Sequence, residues 1–136
     1  MPTTYPISAA YTDGSVLTAA NVNSIAGSVN DIAALQLNAQ TGTTYTLVLG
    51  DAAKMVTLTN ASAISLTVPA NSTAAIAVGT QILLYQGGAG QVTIAGAVGV
   101  TVRSNGSKLK INGQYAVACL MKIATDEWVA FGNLAA

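Results

Sequence analysis

The chain has 136 residues, enough for one domain with a substantial core, and five basic and five acidic residues give it a formal net charge of zero. Only 7% of its residues are charged, against about 25% in ordinary soluble domains. This composition argues against a nucleic-acid partner, which would require a basic excess, and favours a protein whose surface is partly covered in an assembly.

Residues 1–16 are predicted to form an extended N-terminal arm. Pro2 and Pro6 interrupt regular structure, and residues 12–14 (TDG) are typical of a turn. The start of the chain lacks the basic and apolar regions of a signal peptide. Three regularly spaced large residues predict that the arm binds a partner surface: Tyr5, Ile7 and Tyr11.

Residues 17–38 are predicted to form one short helix. Its aliphatic residues recur at helical spacing, in the first and fourth positions of two heptads: Val22, Ile25, Val29 and Ile32. A helix this short and this rich in Asn is not stable alone in water, so its apolar side needs cover. We expect it to be the seam of a homo-oligomer, with three copies favoured. The alternative is that it packs on the sheet of its own chain and the protein is monomeric.

Residues 39–136 are predicted to be a mainly β domain, a single antiparallel β-sandwich or small barrel. Apolar residues alternate with period two in about nine short runs, and turn signals recur every 8–12 residues. Residues 80–85 (TQILLY) are apolar on both faces, which predicts a central strand covered on both sides. Two later runs, YAVACLMKI and EWVAF, are predicted to pair through a turn at residues 124–126.

Two Asn-Gly pairs predict the geometry of the strands around them. Asn105 and Gly106 favour a two-residue type I′ turn, which would place Val102 opposite Leu109. The second pair, at residues 112–113, needs a longer loop to place Ile111 opposite Tyr115 and keep the apolar residues on one face.

The predicted hairpin gathers three basic residues on one outward face: Arg103, Lys108 and Lys110. One interpretation is a solvated strand face. The other is a contact for an acidic partner surface, such as a neighbouring protein subunit. Three charges are too few for useful non-specific binding to DNA.

The sequence offers little for catalysis. It has no histidine, which is the commonest general base and a common metal ligand. Asp126 and Glu127 are adjacent acids, but neighbouring residues of a strand face opposite ways. Residues 87–90 (GGAG) lack the Lys and Ser/Thr of a phosphate loop and predict a hairpin turn. We expect no catalytic or metal-binding residues and no cofactor.

The remaining candidates are apolar side chains. Trp128, Phe131 and Tyr115 could form an aromatic platform for a sugar, but Trp128 and Phe131 point to opposite sides of a strand, so core packing of Trp128 is favoured. The single cysteine, Cys119, is predicted to be a buried apolar residue, and it excludes an internal disulfide. No apolar run approaches the ~20 residues that cross a bilayer, so we expect no membrane partner.

Two stretches resemble proteins of tailed bacteriophages. YTDGSVLTAANVNSIAGSVNDI resembles the leading segment of many fibre and virion-attachment proteins. Residues 39–134, including SLTVPANS, VGTQI, GAGQVTIA and YAVACLMKIATDEWVAFGNL, are similar to a β-domain that recurs in structural proteins of tailed phages.

The resemblance implies a structural virion protein on the outer surface of the phage particle and brings no catalytic residues. Fibre proteins continue into shafts or receptor tips, whereas this sequence ends soon after the domain. We therefore expect a capsid decoration or cement protein, a homotrimer bound to the major capsid protein or another virion protein. The alternative is a short head- or tail-fibre protein whose β domain binds a receptor or carbohydrate.

Overall fold

The structure, a computed structural model, describes residues 34–136 and is mainly β. The predicted arm and nearly all of the predicted helix lie outside the described residues. The last two residues assigned to the helix, Leu37 and Asn38, belong to a strand instead. The strands are β1 Leu37–Gln40, β2 Thr44–Thr46, β3 Met55–Leu58, β4 Ile64–Val68, β5 Gln81–Gln86, β6 Val92–Gly96, β7 Thr101–Ser104, β8 Lys110–Ile111, β9 Val117–Ala124, β10 Glu127–Gly132 and β11 Leu134–Ala135.

The described strands form two mixed sheets. The six-stranded sheet has the order β1-β3-β5-β9-β10-β7, and the five-stranded sheet has the order β11-β8-β6-β4-β2. From β1 to β6 the chain enters the two sheets alternately, an arrangement here called the winding. Each turn of the winding adds one strand to each sheet, parallel to the strand before it in that sheet. The strands from β8 to β11 then complete both sheets with antiparallel pairs, while β7 pairs with β10 in parallel.

The mainly β fold is confirmed. The prediction of an antiparallel domain is wrong, because the strands from β1 to β6 pair in parallel within each sheet and β7 pairs in parallel with β10. Parallel neighbours need a crossover connection, and here each crossover is a strand of the opposite sheet. Turn signals every 8–12 residues therefore do not distinguish hairpins from corners at which the chain passes from one sheet to the other. For example, residues 87–90 join β5 to β6 across the two sheets and do not form the predicted hairpin turn.

The last predicted strand pair is confirmed, since β9 and β10 are antiparallel neighbours joined by a tight turn. Its second residue, Asp126, has φ +54°, a conformation that Asp tolerates better than most residues. The central position predicted for β5 is also confirmed, because this strand lies inside the six-stranded sheet between β3 and β9. Its predicted cover on both faces stays a prediction, since its outward residues are not buried.

The hairpin predicted at Asn105 and Gly106 is wrong. The residues with positive φ are Gly106 and Ser107, one position later than a type I′ turn requires. The chain then leaves β7 for the other sheet, where Ile111 of β8 lies opposite Leu134 of β11 rather than Tyr115. β7 and β8 therefore do not pair with each other, and each has other partners.

One apolar cluster contains alternate residues from strands of both sheets. The six-stranded sheet contributes residues such as Val56, Ile82 and Leu120, and the five-stranded sheet contributes residues such as Leu66 and Ile94. Each of these five side chains is at most 1% exposed. Burial of a side chain of this size stabilises the fold by about 1.5–3 kcal/mol, so this cluster is the main source of stability.

The first turn of the winding is fastened by a buried carboxylate. Asp51 accepts hydrogen bonds from the Tyr45 hydroxyl (2.8 Å), the Asn38 amide (2.7 Å) and the Val48 backbone N–H (2.9 Å). Asn38 lies in β1 of one sheet and Tyr45 in β2 of the other. The Asp51 side chain therefore links the two sheets where the winding begins.

Candidate functional site

The outer face of the six-stranded sheet carries a continuous row of apolar side chains, here called the apolar row. Its members lie opposite one another across five strands, from β1 to β10, as the pairing register shows. They are Leu37, Met55, Leu83, Cys119 and Phe131. No residue of this row is charged, and none belongs to the core cluster.

The alternation of each strand places these residues outside. In β9, Ala118 and Leu120 belong to the core, so Cys119 between them faces away from it. In β10, Trp128 and Ala130 likewise face inward. These strands are apolar on both faces, a pattern that the sequence already showed for β5 but that does not reveal what covers the second face.

Several residues of this face are open to solvent. Leu37 is 65% exposed, Phe131 47%, Ile123 44% and Val117 38%. Val117 extends the apolar surface into a neighbouring row, where it lies opposite Tyr85. The centre of the row is less open, since Met55 and Leu83 are half-buried and Cys119 is 5% exposed. Single exposed apolar residues are common on proteins, whereas large exposed apolar patches are typical of binding surfaces.

The outer face of the five-stranded sheet provides an internal comparison. Its corresponding row runs Thr44, Ser65, Thr93, Lys110 and Ala135 across five strands. Short hydroxyl side chains of this kind remain hydrated at little cost. The compared rows thus differ in polarity: the row on the six-stranded sheet is apolar, and the row on the five-stranded sheet is mainly polar.

The thiol of Cys119 lies in the middle of the apolar row. The prediction that this residue is buried is confirmed, since it is 5% exposed. Burial raises the pKa of the Cys119 thiol, because the thiolate loses hydration among apolar neighbours. The group is therefore a packing residue and a poor nucleophile at neutral pH.

The three basic residues that the sequence grouped together lie on two sheets. Arg103 is in β7 of the six-stranded sheet, where its side chain forms an ion pair with Glu127. Lys110 is in β8 of the five-stranded sheet, and Lys108 is exposed in the segment before it. The predicted common face does not form, because it depended on the β7–β8 hairpin. A contact with an acidic partner stays a prediction for Lys108 and Lys110.

The other predicted interaction residues lie outside the described residues. These are the proposed oligomer seam, Val22, Ile25, Val29 and Ile32, and the proposed partner-binding arm, Tyr5, Ile7 and Tyr11. Their roles stay predictions.

The aromatic candidates are separated by the fold. Core packing of Trp128 is confirmed, since it is 1% exposed. Tyr115 is 69% exposed and adopts φ +68°, a left-handed conformation that is rare for a bulky residue and costs about 1–2 kcal/mol. Its backbone N–H donates a 2.7 Å hydrogen bond to the carbonyl of Gln86, which fixes the main chain of Tyr115 beside the end of β5.

An open cavity of about 380 Å³ lies at the end of β10. Asn105, Lys108 and Phe131 are among the residues that line it, so an amide, an ammonium group and an aromatic ring are available to a ligand. A second open cavity, of about 310 Å³, is lined by residues of β7 and includes Ser104. The Ser104 hydroxyl is buried and has no hydrogen-bond partner.

In residues 34–136 no helix is long and apolar enough to cross a membrane. In the same part of the chain no group of three or more acidic, Cys or His side chains is placed to hold a metal ion.

Comparison of the chain with protein-family models, with curated proteins and with solved structures finds no match. The geometry of the domain and the sequence resemblance are therefore the basis for a functional assignment.

Proposed function

We propose that this protein is a structural virion protein of a tailed bacteriophage, which decorates and stabilises the head as a homo-oligomer, with three copies favoured. The observation that carries the proposal is the row of apolar side chains on the outer face of the six-stranded sheet, in a domain with few charged residues. Such a surface is unfavourable in water and favourable against protein. The resemblance of residues 39–134 to a β-domain of tailed-phage proteins supplies the location on the outer surface of the particle.

The proposed role is mechanical. In this proposal the two sheets pack face to face as a β-sandwich, which gives a rigid body on which contacts can be repeated by symmetry. The arm, through Tyr5, Ile7 and Tyr11, binds the major capsid protein or another virion protein by extended pairing or pocket filling. The seam, Val22, Ile25, Val29 and Ile32, joins copies, and two heptads need further contacts between the β domains.

Copy number tests this role. Densitometry of denatured purified virions, calibrated against the major capsid protein, measures the number of copies per particle. A decoration protein is present in hundreds of copies, because it follows the capsid lattice. A value of a few dozen or fewer would contradict decoration. Readdition of the purified protein to particles that lack it should restore the same number and raise their resistance to heat.

The cavity at the end of β10 favours one second candidate, a short head- or tail-fibre protein with a receptor- or carbohydrate-binding β domain. Phe131 offers an apolar ring and Asn105 and Lys108 offer hydrogen-bond donors, which is a combination that suits a sugar. Titration of the protein with a panel of bacterial surface oligosaccharides, with Asn105→Ala as the binding-deficient variant, tests this role. Saturable binding together with a low copy number would favour the fibre over decoration.

A further inference from the structure

We infer that the outer face of the six-stranded sheet is the surface through which copies of this chain contact one another. The inference rests on the proposed homo-oligomer and names the part of the β domain that holds it together. The occupant of the apolar row is thus the same face of a second copy, or of two further copies around one axis.

The chemistry of the face favours another copy over a partner that binds and leaves. Permanent interfaces between identical chains are more apolar than transient ones, and charged residues are depleted at their centre. The apolar row has no charged member, and the nearby Arg103 and Glu127 of β7 and β10 already pair with each other. When the same face of two copies meets, each apolar residue is buried against another apolar residue without stranding a charge.

The size of the face is compatible with this assignment. Strands lie about 4.8 Å apart and outward residues of a strand about 7 Å apart, so five strands and three rows have a footprint of about 500 Å². The two rows that flank the apolar row also contain the polar residues Thr57 and Gln81. Two such faces together bury about 1,000 Å², the lower limit for a specific interface. In a trimer each face is shared between two neighbours, and the predicted helical seam would add the remaining contact.

Cys119 lies in the centre of the row between Leu83 and Phe131 and is already buried within one chain. The contact between copies would therefore be made by the exposed residues around it, such as Val117 and Phe131. In the five-stranded sheet the central position of the comparable row is Thr93. Val117 and Thr93 are both exposed outward positions of inner strands, one on each sheet, and therefore form a matched pair for experiment.

The first experiment measures mass in solution. Sedimentation equilibrium of the full chain should give a multiple of 13.6 kDa, three copies being expected. The double variant Val117→Lys and Phe131→Glu should give one copy, whereas Thr93→Glu, on the hydroxyl face, should keep the mass of the wild type. Near-ultraviolet circular dichroism of the buried Trp128 verifies that each variant is folded.

The second experiment measures protection without disrupting the interface. Val117→Cys and Thr93→Cys each place a thiol at an exposed position of one chain. In the assembled protein, iodoacetamide should modify Val117→Cys about tenfold more slowly than Thr93→Cys. Equal rates would overturn the inference.

Binding to phage heads separates this inference from the proposed function. An oligomer that survives Val117→Lys and Phe131→Glu overturns the inference, and continued binding of that variant to heads leaves decoration intact. A monomeric wild type whose Val117→Cys thiol is protected also overturns it, because the chain then covers its own face. A wild type that binds no heads overturns the proposed function, and the mass measurement still decides the contact between copies.

Discussion

The ammonium group of Lys122 donates a hydrogen bond of 2.6 Å to the side-chain oxygen of Asn71, a residue 51 positions earlier in the chain. A second hydrogen bond of 2.6 Å reaches the buried carbonyl of Ile76. Asn71 in turn donates its backbone N–H to the Asp126 carboxylate. The long connection between β4 and β5 is thereby fastened to β9 and to the turn that follows it.

Replacement of Lys122 by Met is expected to destabilise the domain. The change leaves the Ile76 carbonyl and the Asn71 amide without their donor, while it removes the cost of burying an ammonium group. The net loss should be about 1–2 kcal/mol of unfolding free energy. Urea denaturation measures this value, and hydrogen exchange should show faster opening of the β4–β5 connection. Lys108→Met, an exposed position, serves as the control and should change stability by less than about 0.5 kcal/mol.

We expect the domain to lose stability in alkaline solution because of the Tyr45 hydroxyl. Burial, together with the hydrogen bond to Asp51 and the charge of that carboxylate, raises the pKa of Tyr45 above its ordinary value of 10.0. Above that pH the unfolded chain releases the proton and the folded chain retains it, so unfolding free energy should fall as pH rises. The contribution is fully present below pH 10. Tyr45→Phe should lower stability at pH 7 and show a shallower decline above pH 10.

Urea denaturation between pH 7 and pH 11 compares the two proteins. Equally steep declines for the wild type and Tyr45→Phe would contradict the assignment of the effect to this residue.

Gly90 is expected to tolerate no side chain. A β-carbon there would overlap the carbonyl oxygen of Ser62, because the corner at residues 87–90 packs directly on the corner of the previous turn. The Gly90 N–H also donates to the carbonyl of Asn60 (2.8 Å). Gly90→Ala should therefore cost at least about 1–3 kcal/mol, as overpacking does in a close-packed interior. Gly113→Ala is the control, because the new methyl group has open space around it. Thermal denaturation should show a clearly lower melting temperature for Gly90→Ala and nearly the wild-type value for Gly113→Ala.

Charge reversal tests the predicted contact with an acidic partner. Lys108→Glu and Lys110→Glu together should weaken attachment to phage heads, and the effect should grow as salt is lowered. Arg103→Ala should have little effect, because its charge is already balanced by Glu127. Unchanged attachment of the double variant at low salt would identify Lys108 and Lys110 as solvated surface residues only.

The sequence predicts the strands of this domain better than their neighbours. Period-two patterns identified β5, β9 and β10, and the short turn between β9 and β10 determined that their pairing is antiparallel. The pairing of β1, β3 and β5 was not predictable in this way. Their partners lie one full turn of the winding away, and a local turn signal such as the GGAG corner does not state which sheet the chain enters next.

The sequence predicted which strands are apolar on both faces, but not that their outward residues form one row. The run QILLY showed that β5 is apolar on both faces, and β9 shows the same pattern around Cys119. Recognition of a row across five strands, however, requires the register that pairs Leu83 with Cys119 and Cys119 with Phe131. The alternation of a strand predicts which of its residues share a face. The neighbours of those residues on other strands are known only from the fold.

The winding also determines where this domain can lengthen. Among the described strands, β1 and β2 are the border strands of their respective sheets, and both lie at the start of the winding. The opposite borders are β7 and β11, which follow the part of the chain that alternates between the sheets. An inserted copy of one complete turn ahead of β1 would extend both sheets in register and leave every later pairing intact. Duplication of a two-strand unit is therefore the simplest route by which evolution, or a protein engineer, could make this domain taller.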